Sequence, residues 1–300
     1  MALGLGIDAG GTATRWRLVE EAGECVAQGS VEPLTGHLFS AAAEDRAKRI
    51  VAEIAQSVTK VGKPVGVVAG ITGLTRNTAA EATMRSVLAD AFALDDHKVF
   101  VAEDMWIAYL SYFALGEGIL IYSGTGSIGY FLSEDKEVIR VGGRGNLIDD
   151  GGSGFWIARE ALKAVLRAEE ERPGYGWSTI LGTALAEALG GTEWDVVRAF
   201  VYGGDRGKIA VLARIVGEAA ERGDKTAESI LRDAGAELAR LANALFKRLE
   251  PRPVALVGGA FRVHPLIGEA FRQDLVASVE VISSDMDAAM TAARLGSLVR

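Results

Sequence analysis

The sequence predicts an α/β protein of two domains built by duplication, the second carrying a long helical insertion. Three observations predict it. A pattern of apolar strand, small-residue turn, strand, acidic turn and strand occurs twice, opening at residues 4–12 and again at 118–127. The length, 300 residues, is about twice that of an ordinary domain. Residues 153–249 read as one long helical stretch with no counterpart in the first half.

The elements follow in order. Residues 3–7 form a short apolar strand and 14–19 a second, alternating one. Glu20-Glu21-Ala22-Gly23 is a turn, and 25–30 a third strand. Residues 40–61 are an amphipathic helix with Ile50, Val51, Ile54 and Val58 on its apolar face. Residues 64–71 are a buried strand. A capping box, Thr78 with Glu81, starts a helix over 78–93. A strand over 99–102 runs into a helix opened by Asp104. The second copy has strands at 118–122, 128–132 and 137–141, with Glu134-Asp135-Lys136 as the acidic turn. After the helical stretch come a strand at 254–257, a helix at 265–275, a strand at 279–282 and a helix at 285–299. The boundary is expected near 115–118, giving domains 1–116 and 117–300, with the last helix crossing back to the first. Two similar domains imply a cleft between them and a hinge about short connections.

Composition excludes several function classes. A formal charge of −8 and the lack of any Lys/Arg cluster exclude a nucleic-acid partner. With 49% hydrophobic and 24% charged residues, and no apolar run long enough for a bilayer, the chain reads as a soluble globular protein. Its start, Met1-Ala2-Leu3-Gly4, lacks the basic segment of a secretory signal, so a cytoplasmic location is expected. The single cysteine, Cys25, permits neither an internal disulfide nor a Cys-based metal cluster.

Five segments carry candidate chemistry. Asp8-Ala9-Gly10-Gly11-Thr12-Ala13-Thr14 is either a plain hairpin or an anion nest. In the second reading Asp8 reaches phosphate through Mg²⁺ or its waters, and Thr12 and Thr14 donate hydroxyls. Its counterpart is Ser123-Gly124-Thr125-Gly126-Ser127. Gly124, Gly126 and Gly129 also fit a dinucleotide fingerprint, but that motif must open a helix, and 130–135 read as strand then turn. Asp104, at a strand-to-helix junction, is either an N-cap or a carboxylate placed to deprotonate a hydroxyl. Gly258 and Gly259, after an apolar strand, make a tight turn or a flat backbone for a purine. The loop from Gly142 to Gly154 carries Asn146 and Asp150 as hydroxyl ligands, with Ser153 as an N-cap.

Taken in order, these segments resemble the superfamily of actin, sugar kinases and seventy-kilodalton heat-shock chaperones. Within it the chain is similar to the branch of N-acetylglucosamine and glucosamine kinases, which also includes ATPase activators of dehydratases. The matching runs are 6–12, 71–76, Glu103-Asp104, 123–127, 150–158 and 257–259. The resemblance implies two ribonuclease-H-like (actin-like ATPase) domains, ATP and Mg²⁺ as cofactors, and an amino sugar phosphorylated at its 6-hydroxyl. It implies Asp104 as base and Asp8 as the Mg²⁺ ligand. Gly10, Gly11, Thr12, Thr14, Gly124, Thr125, Gly126 and Ser127 would hold phosphate, and Gly258 and Gly259 adenosine. Thr35, Gly36, His37, Thr72, Gly73, Asn146 and Asp150 would border the sugar, and a homodimer is compatible with the branch. Two departures bear on the sugar: Gly36 and Ile128 stand where the animal enzymes of the branch carry Asn, which weakens the case for an N-acetyl group. Asp149 adds charge that suits a free ammonium. The cluster-bearing activators need several cysteines and are excluded by Cys25 alone. The alternative reading is an ATPase that switches or activates a partner protein without phosphorylating sugar.

Overall fold

The computed structural model of the chain describes residues 2–11 and 13–299. The chain divides into two compact units, Met1–Ala114 with Met286–Arg300, and Leu115–Asp285.

In the first unit, β1 (Leu3–Ala9), β2 (Thr14–Glu20) and β3 (Cys25–Val31) form an antiparallel meander. The strands β4 (Gly66–Ile71) and β5 (Val99–Ala102) continue the sheet in parallel, in the order β3-β2-β1-β4-β5. Every residue of β4 is buried, as expected of a parallel strand covered on both faces. The helix α1 (Ala41–Thr59) is capped by Ser40, which accepts the Ala43 N–H, and buries Ile50, Val51, Ile54 and Val58. At α2 (Ala79–Phe92), Thr78 accepts the Glu81 N–H at 3.3 Å. The returning Glu81 carboxylate takes the N–H of Asn77, at 2.6 Å, one residue before the cap. A short helix, α3 (Asp104–Leu110), follows β5 directly.

The second unit repeats this order. Its strands are β6 (Ile119–Ser123), β7 (Ser127–Leu132), β8 (Val138–Gly142), β9 (Val254–Val257) and β10 (Val281–Ile282). They are arranged β10-β9-β6-β7-β8 with the same pattern of antiparallel and parallel pairs. The duplication read from two glycine-rich turns is therefore one of whole sheets. Between β8 and β9 lie α4 (Gly154–Glu171), α5 (Ile180–Leu189), α6 (Trp194–Tyr202), α7 (Arg206–Ala210), α8 (Ala213–Glu221) and α9 (Lys225–Phe246). The stretch expected as one helical region is broken at Gly174, Gly190 and Gly223, all at positive φ (83°, 88° and 86°). The helix α10 (Pro265–Gln273) joins β9 to β10.

The helix α11 (Ala288–Ser297), capped by Asp287, is part of the first unit and lies flat on β1. Gly4 and Gly6 share one face of that strand. A Cβ on Gly4 would stand 2.1 Å from the Ala293 carbonyl oxygen, and one on Gly6 2.0 Å from that of Ala289. The glycines let helix backbone touch strand backbone. Among the described residues, no helix is long and apolar enough to cross a membrane.

Candidate active site

Two carboxylates meet in the first unit. The strand β1 runs two residues past the expected end, so Asp8 sits in the ladder, paired with Arg15 on β2 and Gly70 on β4. The N-terminus of α3 rests on Gly70: a Cβ there would lie 3.2 Å from the Asp104 Cα. Gly70 thus allows Asp104 to approach Asp8. Reading the sequence alone overlooked it, although a second glycine in the aliphatic strand 66–71 was the available signal.

Asp104 is not the N-cap of α3. Glu103 occupies that position without a side-chain capping bond, and Asp104 is the first helical residue. Its Oδ1 accepts the Met105 N–H at 2.9 Å, and the Thr72 hydroxyl donates to the same carboxylate. Thr72, expected beside the sugar, therefore positions Asp104. Thr72 is itself fixed by its N–H, which donates to the Ala9 carbonyl at 2.9 Å, and by its carbonyl, which accepts the Gly36 N–H at 2.9 Å.

That last bond gathers the other expected sugar residues of this unit. A Cβ on Gly36 would lie 2.6 Å from Leu74, and one on Gly73 (φ 75°) 2.5 Å from the His37 Nε2. Gly36, His37, Thr72 and Gly73 form one cluster, with half-buried Thr35 next to it in the chain. His37 also stacks on the exposed ring of Phe39, centroids 5.4 Å apart.

At the β1–β2 turn, the Gly10 N–H donates to the Ala13 carbonyl at 3.1 Å, and open space lies where a Gly11 side chain would be. Thr12 lies outside the described residues. Thr14 is fully buried and accepts the Leu34 N–H at 2.8 Å, so its oxygen ties the hairpin to the chain leaving β3.

In the second unit, the Gly124 N–H donates to the Gly126 carbonyl at 2.9 Å. The carbonyls of Gly124 and Thr125 accept the N–H groups of Gly154 and Phe155, so the turn caps α4. The hydroxyls of Ser123 and Ser127 donate to the carbonyls of Gly152 and Gly151, at 2.8 and 2.7 Å, and fasten the loop that carries Asp150. A Cβ on Gly126 would stand 2.9 Å from Asp150 Oδ2, an oxygen that is buried and has no hydrogen-bond partner. The backbone N–H groups of Gly145 and Ser127 serve the same carboxyl. Asn146 is half-buried in this loop. Asp149 accepts the Gly151 N–H at 3.1 Å and pairs with Arg240 at 3.0 Å. Its charge is already answered, so the expected role in holding an ammonium group loses its basis. Gly258 (φ 108°) brings the end of β9 against β6, since a Cβ would meet the Ser123 oxygen at 2.2 Å. Gly259 faces open space, as a backbone lying against a purine requires.

The electrostatics single out Asp8. Burial, then the repulsion of Asp104, push its carboxyl up from the ordinary 3.8 to about 6. Burial also raises Asp104 and Asp150. Two neighbouring raised carboxyls fit a cation, whose charge relieves both. Mg²⁺ is held by one or two carboxylates together with phosphate oxygens, so the lack of a three-residue His/Cys/Asp/Glu cluster among the described residues does not oppose it. A folded pKa above the unfolded one means that stability present at low pH is lost as pH rises from about 4 through about 6. Asp8→Asn is therefore expected to raise the thermal midpoint at pH 8 in chelator, by up to about 3 kcal/mol of stability. It is also expected to remove the stabilisation that added Mg²⁺ gives the native chain. Differential scanning calorimetry with and without the ion measures both. A depression of about 650 Å³ on α6 is lined by none of these residues.

The sequence profile of the BadF/BadG/BcrA/BcrD ATPase family matches residues 5–293. An N-acetylmuramic acid/N-acetylglucosamine kinase of Clostridium acetobutylicum is 31% identical over 204 residues, which are 65% of this chain and 66% of that one, just under two thirds of its length. The N-acetyl-D-glucosamine kinase of Dictyostelium discoideum is 26% identical over 325 aligned positions, 97% of this chain and 96% of that one. Among solved structures, one from Chromobacterium violaceum, provisionally described as an N-acetylglucosamine kinase, superposes with a TM-score of 0.77 at 26% identity, covering 99% of both chains. With two sheets of one topology and the profile matched nearly end to end, the chain belongs to the BadF/BadG/BcrA/BcrD ATPase family and has its actin-like, two-domain fold.

Proposed function

We propose that the protein is an ATP-dependent amino-sugar kinase that phosphorylates the 6-hydroxyl of N-acetylglucosamine or glucosamine. The observation that carries this is Asp104: half-buried, held by Thr72 and Met105, and raised above the usual carboxylate range beside Asp8. A carboxylate fixed by two hydrogen bonds in this way can take the proton of a sugar hydroxyl. The named activities of the two relatives support the substrate class. Asp149, spent on Arg240, leaves no special provision for a free amine, which favours the N-acetylated sugar.

In the proposed reaction the sugar oxygen bonds to the γ-phosphorus as its proton passes to Asp104. The bond from phosphorus to the ADP oxygen breaks, and its electrons stay on ADP. Mg²⁺, held by Asp8 directly or through water, supplies charge neutralisation at the phosphates when bound. Backbone of Gly10, Gly11, Gly124, Thr125 and Gly126 receives phosphate, and Gly258 and Gly259 receive adenosine. Thr14 and Ser127 act by fixing the turns, since their oxygens already have partners. Asp150, with its unpartnered oxygen, and Asn146 accept sugar hydroxyls, and Gly36, His37 and Gly73 border the ring. A cytoplasmic location accompanies an ATP-dependent enzyme of this kind.

A coupled ADP-release screen tests the proposal, over N-acetylglucosamine, glucosamine, glucose, N-acetylmuramic acid and no sugar. N-acetylglucosamine is expected to stimulate turnover at least tenfold over the no-sugar rate. Equal ADP release with and without every sugar would instead identify an ATPase serving a partner protein.

A further inference from the structure

The helical insertion brings one arginine to the glycine turn of the second unit. The helix α7 rests on the start of α4: a Cβ on Gly154 would lie 3.4 Å from the Ala210 Cβ, and 3.3 Å from the carbonyl oxygens of both Ala210 and Gly124. Arg206 stands one helical turn before Ala210, on the same face of α7. That face is the one turned toward Gly124 and the loop of Asp150. The Asp150 carboxyl registers the neighbour. Burial raises it, and the Gly145 N–H and then the Arg206 charge act against burial.

The two side chains do not join. Asp150 Oδ2 is buried beside Gly126 with no hydrogen-bond partner. Among the described residues, exposed Arg206 donates no hydrogen bond and closes no ion pair. Nearby cations are already engaged: Lys208 lies 4.5 Å over the Phe200 ring, and Arg240 is held by Asp149 and Glu237. The first amides of α4 are engaged too. Gly154 and Phe155 donate to the carbonyls of Gly124 and Thr125, and Trp156 to the Ser153 hydroxyl. A full positive charge at this turn therefore comes from Arg206. An unpartnered carboxylate oxygen and an unpaired guanidinium over one turn suit a pair of groups, one that donates and one that is anionic. In the kinase reading, on which this inference rests, the donor is a sugar hydroxyl and the anion is the phosphoryl group.

We propose that Arg206 is a further catalytic residue, donating hydrogen bonds to the non-bridging oxygens of the phosphoryl group during transfer while Asp150 holds the sugar. As the sugar oxygen bonds to phosphorus and the bond to the ADP oxygen breaks, charge spreads over the equatorial oxygens, and the guanidinium meets it while keeping its own protons. Arg206→Gln is expected to lower kcat at least about 10²-fold with every sugar that the native chain phosphorylates, and to leave KM for N-acetylglucosamine within about twofold. Arg206→Lys, which keeps the charge but not the planar fork, should recover part of the loss. Lys208→Gln, which removes a cation from the same helix, should keep native kcat. Calorimetric titration supplies a readout apart from turnover. With Mg²⁺ and N-acetylglucosamine present, ADP should bind Arg206→Gln as it binds the native chain. The tightening that aluminium fluoride, a mimic of the phosphoryl in transit, gives the native chain should be lost. A native chain stimulated by sugar, with Arg206→Gln turning over within about threefold of it, overturns this assignment alone. A loss confined to KM for N-acetylmuramic acid overturns it in favour of a substrate carboxylate. A native chain indifferent to every sugar overturns the kinase reading, and this assignment with it.

Discussion

Asp104→Asn is expected to lower phosphorylation by about 10²–10⁴-fold while ATP still binds, because the amide keeps the size of the carboxylate but cannot take a proton. Steady-state ADP release gives the rate, and calorimetric titration with ATP gives the binding. The variant should also lose any rise in rate with pH that reflects ionisation of this raised carboxyl. Thr72→Val, which removes the hydroxyl held on Asp104, should reduce kcat by a smaller factor and leave KM for ATP unchanged. Near-native turnover in Asp104→Asn would remove Asp104 from the chemistry and return it to being the first residue of a short helix.

The second large effect is structural. Gly6→Val is expected to unfold the first unit or to cost it about 3 kcal/mol or more, because the new side chain would enter the backbone of α11 rather than a yielding side chain. The Ala289 oxygen and the Ala293 nitrogen would lie 2.0 and 2.2 Å from the first added carbon. Thermal unfolding should show the transition of the first unit shifted down by roughly 6–12 °C relative to that of the second. Leu5→Val, the adjacent position facing the core, should cost far less, since it deletes one methylene without a collision.

Much of this was legible in the residues. Period-two apolar runs and acidic turns located every strand to within a few positions, because each strand is bounded by residues that break a ladder. The twin sheets followed from the two glycine turns, since a turn that opens the same meander implies the same neighbours. The capping signals at Thr78 and Ser153 are met by the hydrogen bonds expected of them. What escaped were contacts between elements far apart in sequence. Nothing local marks Thr72 as the partner of Asp104, or Arg240 as the partner of Asp149 across 91 residues. Gly70 looked like an ordinary strand residue until α3 was seen resting on it. The hydroxyls of Thr14 and Ser127 suit an anion by type, yet buried backbone groups claim them, because an unpaired backbone group inside the fold is costly.

The place of α11 has a consequence for synthesis on the ribosome. The strand β1 leaves early, but the helix that covers its glycine face is separated from it by nearly the whole chain. At about 5–20 residues per second, that face waits on the order of 15–60 s for its cover. The second unit, uninterrupted from Leu115 to Asp285, is complete before then and can fold first. Vectorial order is thus reversed for this protein: the part made first is finished last, and the nascent first unit is the natural client for a chaperone during that interval.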